Sequence, residues 1–445
     1  MKQFIQLKKV GFMSGLLQKI AFCLLCLCSF LKLNAQDFSA ISAEMKDIYH
    51  QLHQYPEIGH EEFRTSELIR KTLERIGYTS DSGTCSAMIL ETGELGKKLP
   101  TLVIAVLDTQ RPGPVICFRA DIDALKLQEN TQLPFASQCP GRMHACGHDA
   151  HTSILLATAK VLKEKQDELC GKVVFLFQPA EEVAGGADDI VNDGILDRLR
   201  VNAVFALHVA HAIPVGTVQL LSGPILSGSN SFTIRLIGRS SHPAFPEQGN
   251  DIILAGAEIA LELAKLPARQ ISIVQCPTII SITSFQAGTG TSIMPGEAVL
   301  RGTIRSFFSI DDPSYNIQGL VEKHIQARAA PFGLTWEIQW KKGTPPTINH
   351  PHLYQKLVPR IQQACSLLQI QPGKKSMASE DFAYYAQKYP CLYFSLGIAK
   401  DGLGEQPLHS SQFVIHERAL DMGLQLWITI TEIILNTQNP FGQLD

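Results

Sequence analysis

The sequence predicts an α/β protein: a main domain on a mixed, largely parallel sheet, with a smaller α+β two-layer sandwich inserted into it. Three observations point there. Between residues 102 and 207, apolar runs of strand length alternate with a stretch of helical periodicity, the pattern of crossover units. Beyond Gly223-Pro224 the runs alternate apolar with polar residues, the mark of half-buried strands. A chain of 445 residues also exceeds what one hydrophobic core ordinarily serves.

In chain order, Ile48, Leu52 and then Leu68, Ile69, Leu73 and Ile76 set helical stripes, broken at Tyr55-Pro56 and closed by Gly77. Strands follow at 102–107, 115–118, 173–177 and 204–207, with a helix over 151–165 carrying Ile154, Leu155, Ala159 and Leu162. The second texture reads as a strand over 231–237, a helix over 252–266 and strands over 278–285 and 298–307. A helix near 315–329 and a strand over 335–340 complete it. That β-α-β-β-α-β order suits a two-layer sandwich with an antiparallel sheet. The expected boundaries are a leader over 1–35, a first part over 36–224, an insertion over 225–340 and a second part over 341–445.

The leader has Lys2, Lys8, Lys9 and Lys19 before the apolar run Ile20–Leu31 and a small residue at Ala35. This is the form of a secretory signal peptide, cut after Ala35, with Met13 as an alternative start. The run is too short to span a bilayer, and Cys23, Cys26 and Cys28 do not follow the small residues that lipid attachment prefers. The expectation is an exported protein, periplasmic or extracellular, without stable membrane insertion after cleavage. Eight cysteines lie beyond the leader, an even number that leaves disulfides open. A formal net charge of -3, with no long like-charge run and no Gly-x-Gly-x-x-Gly opening a helix, gives no reason to expect nucleic acid as partner.

The chemistry lies where apolar runs end. The strand 115–118 runs into Arg119, Asp121 and Asp123; the strand 173–177 into Gln178, Glu181 and Glu182; the strand 204–207 into His208. Open parallel sheets bind ligands at the carboxyl ends of their strands, so three such ends would build one site. His144-Ala-Cys146-Gly-His148-Asp149-Ala-His151 places three histidines, a cysteine and an aspartate at the start of a helix. Thiolate and imidazole are transition-metal ligands, and glycine permits the tight backbone that turns both inward. The bland alternative is a turn whose histidines cap the helix. Glu181 and Glu182 have one too, since paired acids complement a helix dipole. Adjacent side chains diverge, however, so one could ligate a metal while the other takes a proton from water. Spacing does not say which does which.

These residues resemble the amidohydrolases of the aminoacylase and carboxypeptidase G-like metallopeptidase superfamily, within it the hippurate hydrolase and indole-acetyl-amino-acid hydrolase subgroup. The likeness covers about 46–435. Its anchors are His53-Gln-Tyr-Pro-Glu57, Phe118-Arg-Ala-Asp121-Ile-Asp-Ala-Leu125, Met143-His-Ala-Cys-Gly-His-Asp149, Gln178-Pro-Ala-Glu-Glu182, Gly302-Thr-Ile-Arg305 and Ser379-Glu-Asp-Phe382.

The resemblance implies a catalytic domain with an inserted lid and dimerisation domain, acting on the amide bond of N-acyl-amino acids or short peptides. It implies two divalent ions, zinc, manganese, cobalt or nickel, bridged by Cys146 and held by His148, Glu182, His208 and His409. Glu181 would be the general base and His242 would stabilise the oxyanion, often in a partner subunit's site, which implies a homodimer. Arg305 would hold the substrate carboxylate beside Ser292, and Asp121, Asp149, His151 and Glu380 would orient ligands through hydrogen bonds. The residues themselves do not choose His409 over His416. Relatives usually carry asparagine where Ser292 stands and proline where Lys126 stands, and the loop before His242 reads Arg-Ser-Ser rather than glycine-rich. These departures touch specificity rather than the ligand set. Two other readings remain: a metallo-carboxypeptidase or dipeptidase, and a non-catalytic binding protein of the same fold.

Overall fold

The computed structural model describes residues 35–80, 86–183, 185–437 and 441. Residues 1–34 of the expected leader, with Met13, Cys23, Cys26 and Cys28, lie outside them, as does Cys85. The seven described cysteines are free thiols. No described helix is long and apolar enough to cross a membrane.

Helices α1 (Ala35–Gln54) and α2 (Phe63–Arg75) match the two apolar stripes. Ile41, Met45, Ile48 and Leu52 of α1 are buried. Strands β1 (Ala87–Ile89), β2 (Val103–Asp108) and β3 (Val115–Asp121) follow, with the short α3 (Gly93–Lys98) after β1. Helix α4 (His148–Glu164) crosses to β4 (Lys172–Gln178); α5 (Gly186–Asp193) and α6 (Ile195–Arg198) lead to β5 (Ala203–Pro214), β6 (Thr217–Leu220) and β7 (Gly223–Leu226). Then come β8 (Gly228–Ile237), α7 (Ile252–Arg269), β9 (Thr278–Ala287), β10 (Glu297–Ser306), α8 (Ile317–Ala329) and β11 (Thr335–Lys342). The chain finishes with β12 (Thr347–Asn349), α9 (Pro351–Ala364), β13 (Gln369–Pro372), α10 (Ala383–Lys388), β14 (Cys391–Ala399) and α11 (Arg418–Leu435).

The large sheet runs β1-β2-β4-β3-β5-β14-β6-β13. Its centre, β4-β3-β5-β14, is parallel throughout, while β2 and β6 pair antiparallel with it. Val173 to Phe177 are all fully buried, as expected of a strand covered on both faces. Each large apolar side chain buried there contributes on the order of 1.5–3 kcal/mol. Helices α4 and α11 cover one face; Trp427 of α11 lies 4.5 Å from the Phe118 ring centroid. Gly423 allows that close approach, since a Cβ there would stand 2.6 Å from Ile154 Cδ1.

The second sheet, β11-β8-β10-β9, is antiparallel and has its own core, with Ile234, Leu236, Ile259, Leu300 and Ile325 fully buried. Its elements follow the β-α-β-β-α-β order. The chain enters it after β7 and leaves it before β12, and these two strands pair antiparallel with Leu226 opposite Thr347.

Candidate metal centre

The site forms where the parallel strands stop at different heights. β3 pairs with β4 up to Asp121 and Gln178, but with β5 only up to Arg119 and Ala206. β5 continues along β14 to Ala210. His208 therefore lies inside a strand, not at its end as the apolar run suggests, on a stretch that β3 no longer covers. Chain connections from β3 and β5 leave in opposite directions, which opens a crevice at this point.

The loop before α4 supplies the next ligands. Gly147 has φ +84, and a Cβ there would meet Val209 Cγ2 at 2.3 Å, so only glycine fits between Cys146 and His148. After β4 the chain makes a turn, and α5 begins only at Gly186. Glu181 and Glu182 thus do not open a helix. Their backbone N–H groups donate to the two oxygens of Asp123, at 3.1 and 3.0 Å, which fixes the turn against the end of β3. The last residue comes from an irregular loop: His409, at φ +62, donates its N–H to Ala145 O at 2.8 Å.

Five metal-type donors converge. Cys146 Sγ is 3.4 Å from both His208 Nε2 and His409 Nε2. Glu182 Oε1 is 3.4 Å from His409 Nε2 and 3.9 Å from His148 Nε2. His148 and His208 each use Nδ1 on a backbone carbonyl, of Asp123 and Val209, both at 2.8 Å. Their Nε2 atoms are left facing the shared space, the arrangement that presents a histidine lone pair to a metal. His148 Nε2 and Glu182 Oε1 are buried with no hydrogen-bond partner among the described residues. Buried polar atoms are rarely left so, and a divalent cation satisfies both. His416, the other candidate in that loop, faces Asp401 at 3.8 Å instead.

Electrostatics agree. Burial, reinforced by Glu182 and Glu181, holds the Cys146 thiol well above its ordinary pKa, so ionising it requires nearby cations. Burial lowers His208 to about 4, leaving it neutral. For His148 burial is outweighed by Asp121, Asp123 and Glu182, which push it up to about 10; a cation at Nε2 would take the place of that proton. Burial and the carboxylates of Glu380, Asp381 and Glu182 hold Glu181 well above the usual range, so this group retains protons readily.

Asp121 accepts from His151 Nδ1 at 2.5 Å and from Arg119 at 2.6 Å, and lies 3.6 Å from His148 Nε2. His151 Nε2 accepts from Val209 N–H, so this histidine is spoken for on both sides. Glu380 meets Arg119 and Tyr393, and Asp149 meets His53; neither touches the five donors directly. His242 and Ser292 are exposed in loops of the second sheet, and His242 contacts Ala244 and Phe245. Arg305 reaches out of that sheet to Ser379 Oγ at 2.7 Å. The sequence placed Arg119 at the end of an apolar run but gave it no role; it is a buried hub that binds Gln178, Asp121, Glu380 and Asp381 at once. Sequence reasoning also missed the His53–Glu129 pair. His53 and Arg119 stand in quoted motifs, whereas nothing in the sequence singles out Glu129.

The model of peptidase family M20/M25/M40 matches residues 117–432. An N-acetyl-L-cysteine deacetylase of Bacillus subtilis (strain 168) is 34% identical over 391 residues, 87% of each chain. A thermostable carboxypeptidase 1 of Saccharolobus solfataricus is 32% identical over 380 residues, 84% of this chain and 91% of its own. Among solved structures, a Bacillus subtilis protein described as a dinuclear metal binding peptidase from the M20 family is 31% identical. It matches with a TM-score of 0.77 over 90% of this chain and all of its own.

Proposed function

The chain belongs to peptidase family M20/M25/M40 and is a metal-dependent hydrolase, and from that premise we propose that it hydrolyses the amide bond of N-acyl-amino acids. The observation that carries this reading is the convergence of Cys146, His148, Glu182, His208 and His409 beside Glu181. Deacetylase and N-acyl-L-amino acid amidohydrolase relatives, each about a third identical, support the substrate class.

Cys146, His148, Glu182, His208 and His409 would hold the divalent ions. Divalent ions held there supply Lewis acidity toward the scissile carbonyl and acidify the attacking water. Glu181 takes the proton from that water at its carboxylate and delivers it to the leaving amine nitrogen. Its raised proton affinity suits the second half of this task. Arg305 offers its guanidinium fork to the substrate carboxylate, with Ser292 at the same rim. His242 donates to the developing oxyanion. In this chain His242 is exposed and contacts Ala244 and Phe245, which is compatible with delivery from the second copy of a homodimer. The Asp123 carbonyl orients His148, Asp121 holds His151 behind it, and Glu380 and Asp149 steady the surrounding walls. The basic and apolar leader supports an exported enzyme.

The test is a panel of N-acyl amino acids and dipeptides offered to the mature protein reconstituted with zinc, manganese, cobalt or nickel. Release of free amino acid from the N-acyl substrates, faster than dipeptide cleavage, is expected. The reverse order would favour the carboxypeptidase reading, which the Saccharolobus relatives support by name.

A further inference from the structure

His409 is the weakest-held of the five donors. Its backbone sits in the left-handed region that favours glycine, its side chain is 54% exposed, and its loop contains no regular structure. Two backbone bonds restrain that loop beside the site. One is His409 N–H to Ala145 O; the other is Asn130 N–H to Ser411 O, at 2.8 Å. The second restraint is only as firm as the segment 126–142, which is itself neither helix nor strand.

Gln138 N–H ties the far half of that segment to Gln54 O at 2.8 Å, and the near half, next to Asn130, is anchored by Glu129. One of its oxygens accepts from Ser137 N–H at 2.7 Å; the other accepts from Thr131 Oγ and faces His53 Nε2 at 3.3 Å. His53, on α1, turns its other nitrogen to Asp149 Oδ2 at 2.6 Å. All three residues are buried. With a carboxylate on each side, both ring nitrogens carry protons and the group is a cation. Burial alone would lower its pKa, but bonding to Asp149 and Glu129 pushes it up to about 9. Tyr49 and Phe135 enclose the ring, with centroids at 5.8 and 5.5 Å.

We propose that His53 is a positioning residue for the last metal ligand, acting through Glu129, Asn130 and Ser411 on His409. The assignment rests on the metal reading above. Without the imidazolium, Glu129 is a buried carboxylate facing no cation and turns toward water. Asn130 then leaves Ser411, and His409 loses one of its two restraints. His208 and Glu182 sit on β5 and on the turn clamped by Asp123, away from this path; Cys146 and His148 lie beside Asp149, whose bond to His53 is untouched when only Glu129 is changed. The effect should therefore fall on one of two ions.

The experiment titrates the metal-free mature protein with cobalt(II), followed by absorbance, and with zinc(II), followed by calorimetry. Wild type, His53→Gln and Glu129→Gln are compared. Glu129→Gln leaves the bond between His53 and Asp149 in place, so it serves even where the first variant fails to fold. Two ions are expected in the wild type. In Glu129→Gln the first ion should bind as in the wild type and the second about 10- to 100-fold more weakly; in His53→Gln, which also releases Asp149 beside His148, the second ion should be weakened at least as much. Wild-type affinity for both ions in Glu129→Gln overturns the proposal, and so does equal weakening of both. A wild type that takes up no ion overturns the metal reading itself and this assignment with it.

Discussion

The floor and the rim of the site are built on opposite terms. The floor consists of strand ends, the α4 N-terminus and a turn clamped by Asp123. Cys146, His148 and His208 there are almost without exposure, and the spare nitrogens of the two histidines are bonded to backbone. The rim belongs to the second sheet: His242 and Ser292 face solvent in its loops, and Arg305, near the end of β10, reaches Ser379 in the loop before α10. On the proposed reading, metal holding is completed by the large sheet and the loops attached to it, whereas substrate selection falls to residues whose approach that sheet does not fix. Substitutions in the floor should silence every substrate, and substitutions in the rim should reorder substrates.

The largest expected effect is at the floor. Glu181→Gln should lower kcat by about 10²- to 10⁴-fold while the metal content by elemental analysis stays at the wild-type level. Undiminished turnover would remove this glutamate from proton transfer. For the rim, Arg305→Met should raise KM by about 10- to 100-fold for substrates with a free carboxylate, the loss typical of a charge-assisted hydrogen bond. Metal content should not change, and the carboxamide analogues should be nearly indifferent. Equal losses for acid and amide would mean that Arg305 does not read the substrate carboxylate.

The smallest effect concerns pH. His53 has a folded-state pKa of about 9 against an ordinary 6.5. A raised pKa contributes stability that is fully present below 6.5 and is lost as pH climbs through about 9. The Tm of the metal-free protein should therefore fall across that window by more than the Tm of His53→Gln does. Parallel curves for the two proteins would mean that the ring is not charged in the fold.

Much of the floor was legible because its residues are close in sequence and of rare types. Cys146, Gly147 and His148 announce a cavity within three positions, and the apolar runs before Asp121 and Glu182 mark strands ending together. The choice of His409 over His416 was not legible. Both stand in one irregular loop, and only the tertiary bond to Ala145 brings one of them to Cys146. Arg119 reads locally as one more polar residue after a strand; its worth comes from Glu380 and Asp381, which only the finished sheet delivers. The position of His208 inside β5 was hidden for a related reason, since strand length there is set by pairing with β14 rather than by the apolar run. The inserted sheet was legible in element order, because alternation along a half-buried strand is a local signal.

The pairing of β7 with β12 carries one more consequence. Leu226 stands opposite Thr347, so the two ends of the excursion that carries Arg305 and His242 meet as neighbours in a ladder. A tight hairpin turn could join them and delete everything between. The shortened chain would keep its whole cation-gripping apparatus and lose its means of telling one guest molecule from another, a bare ion trap from which a selective enzyme could be assembled by grafting a different lobe.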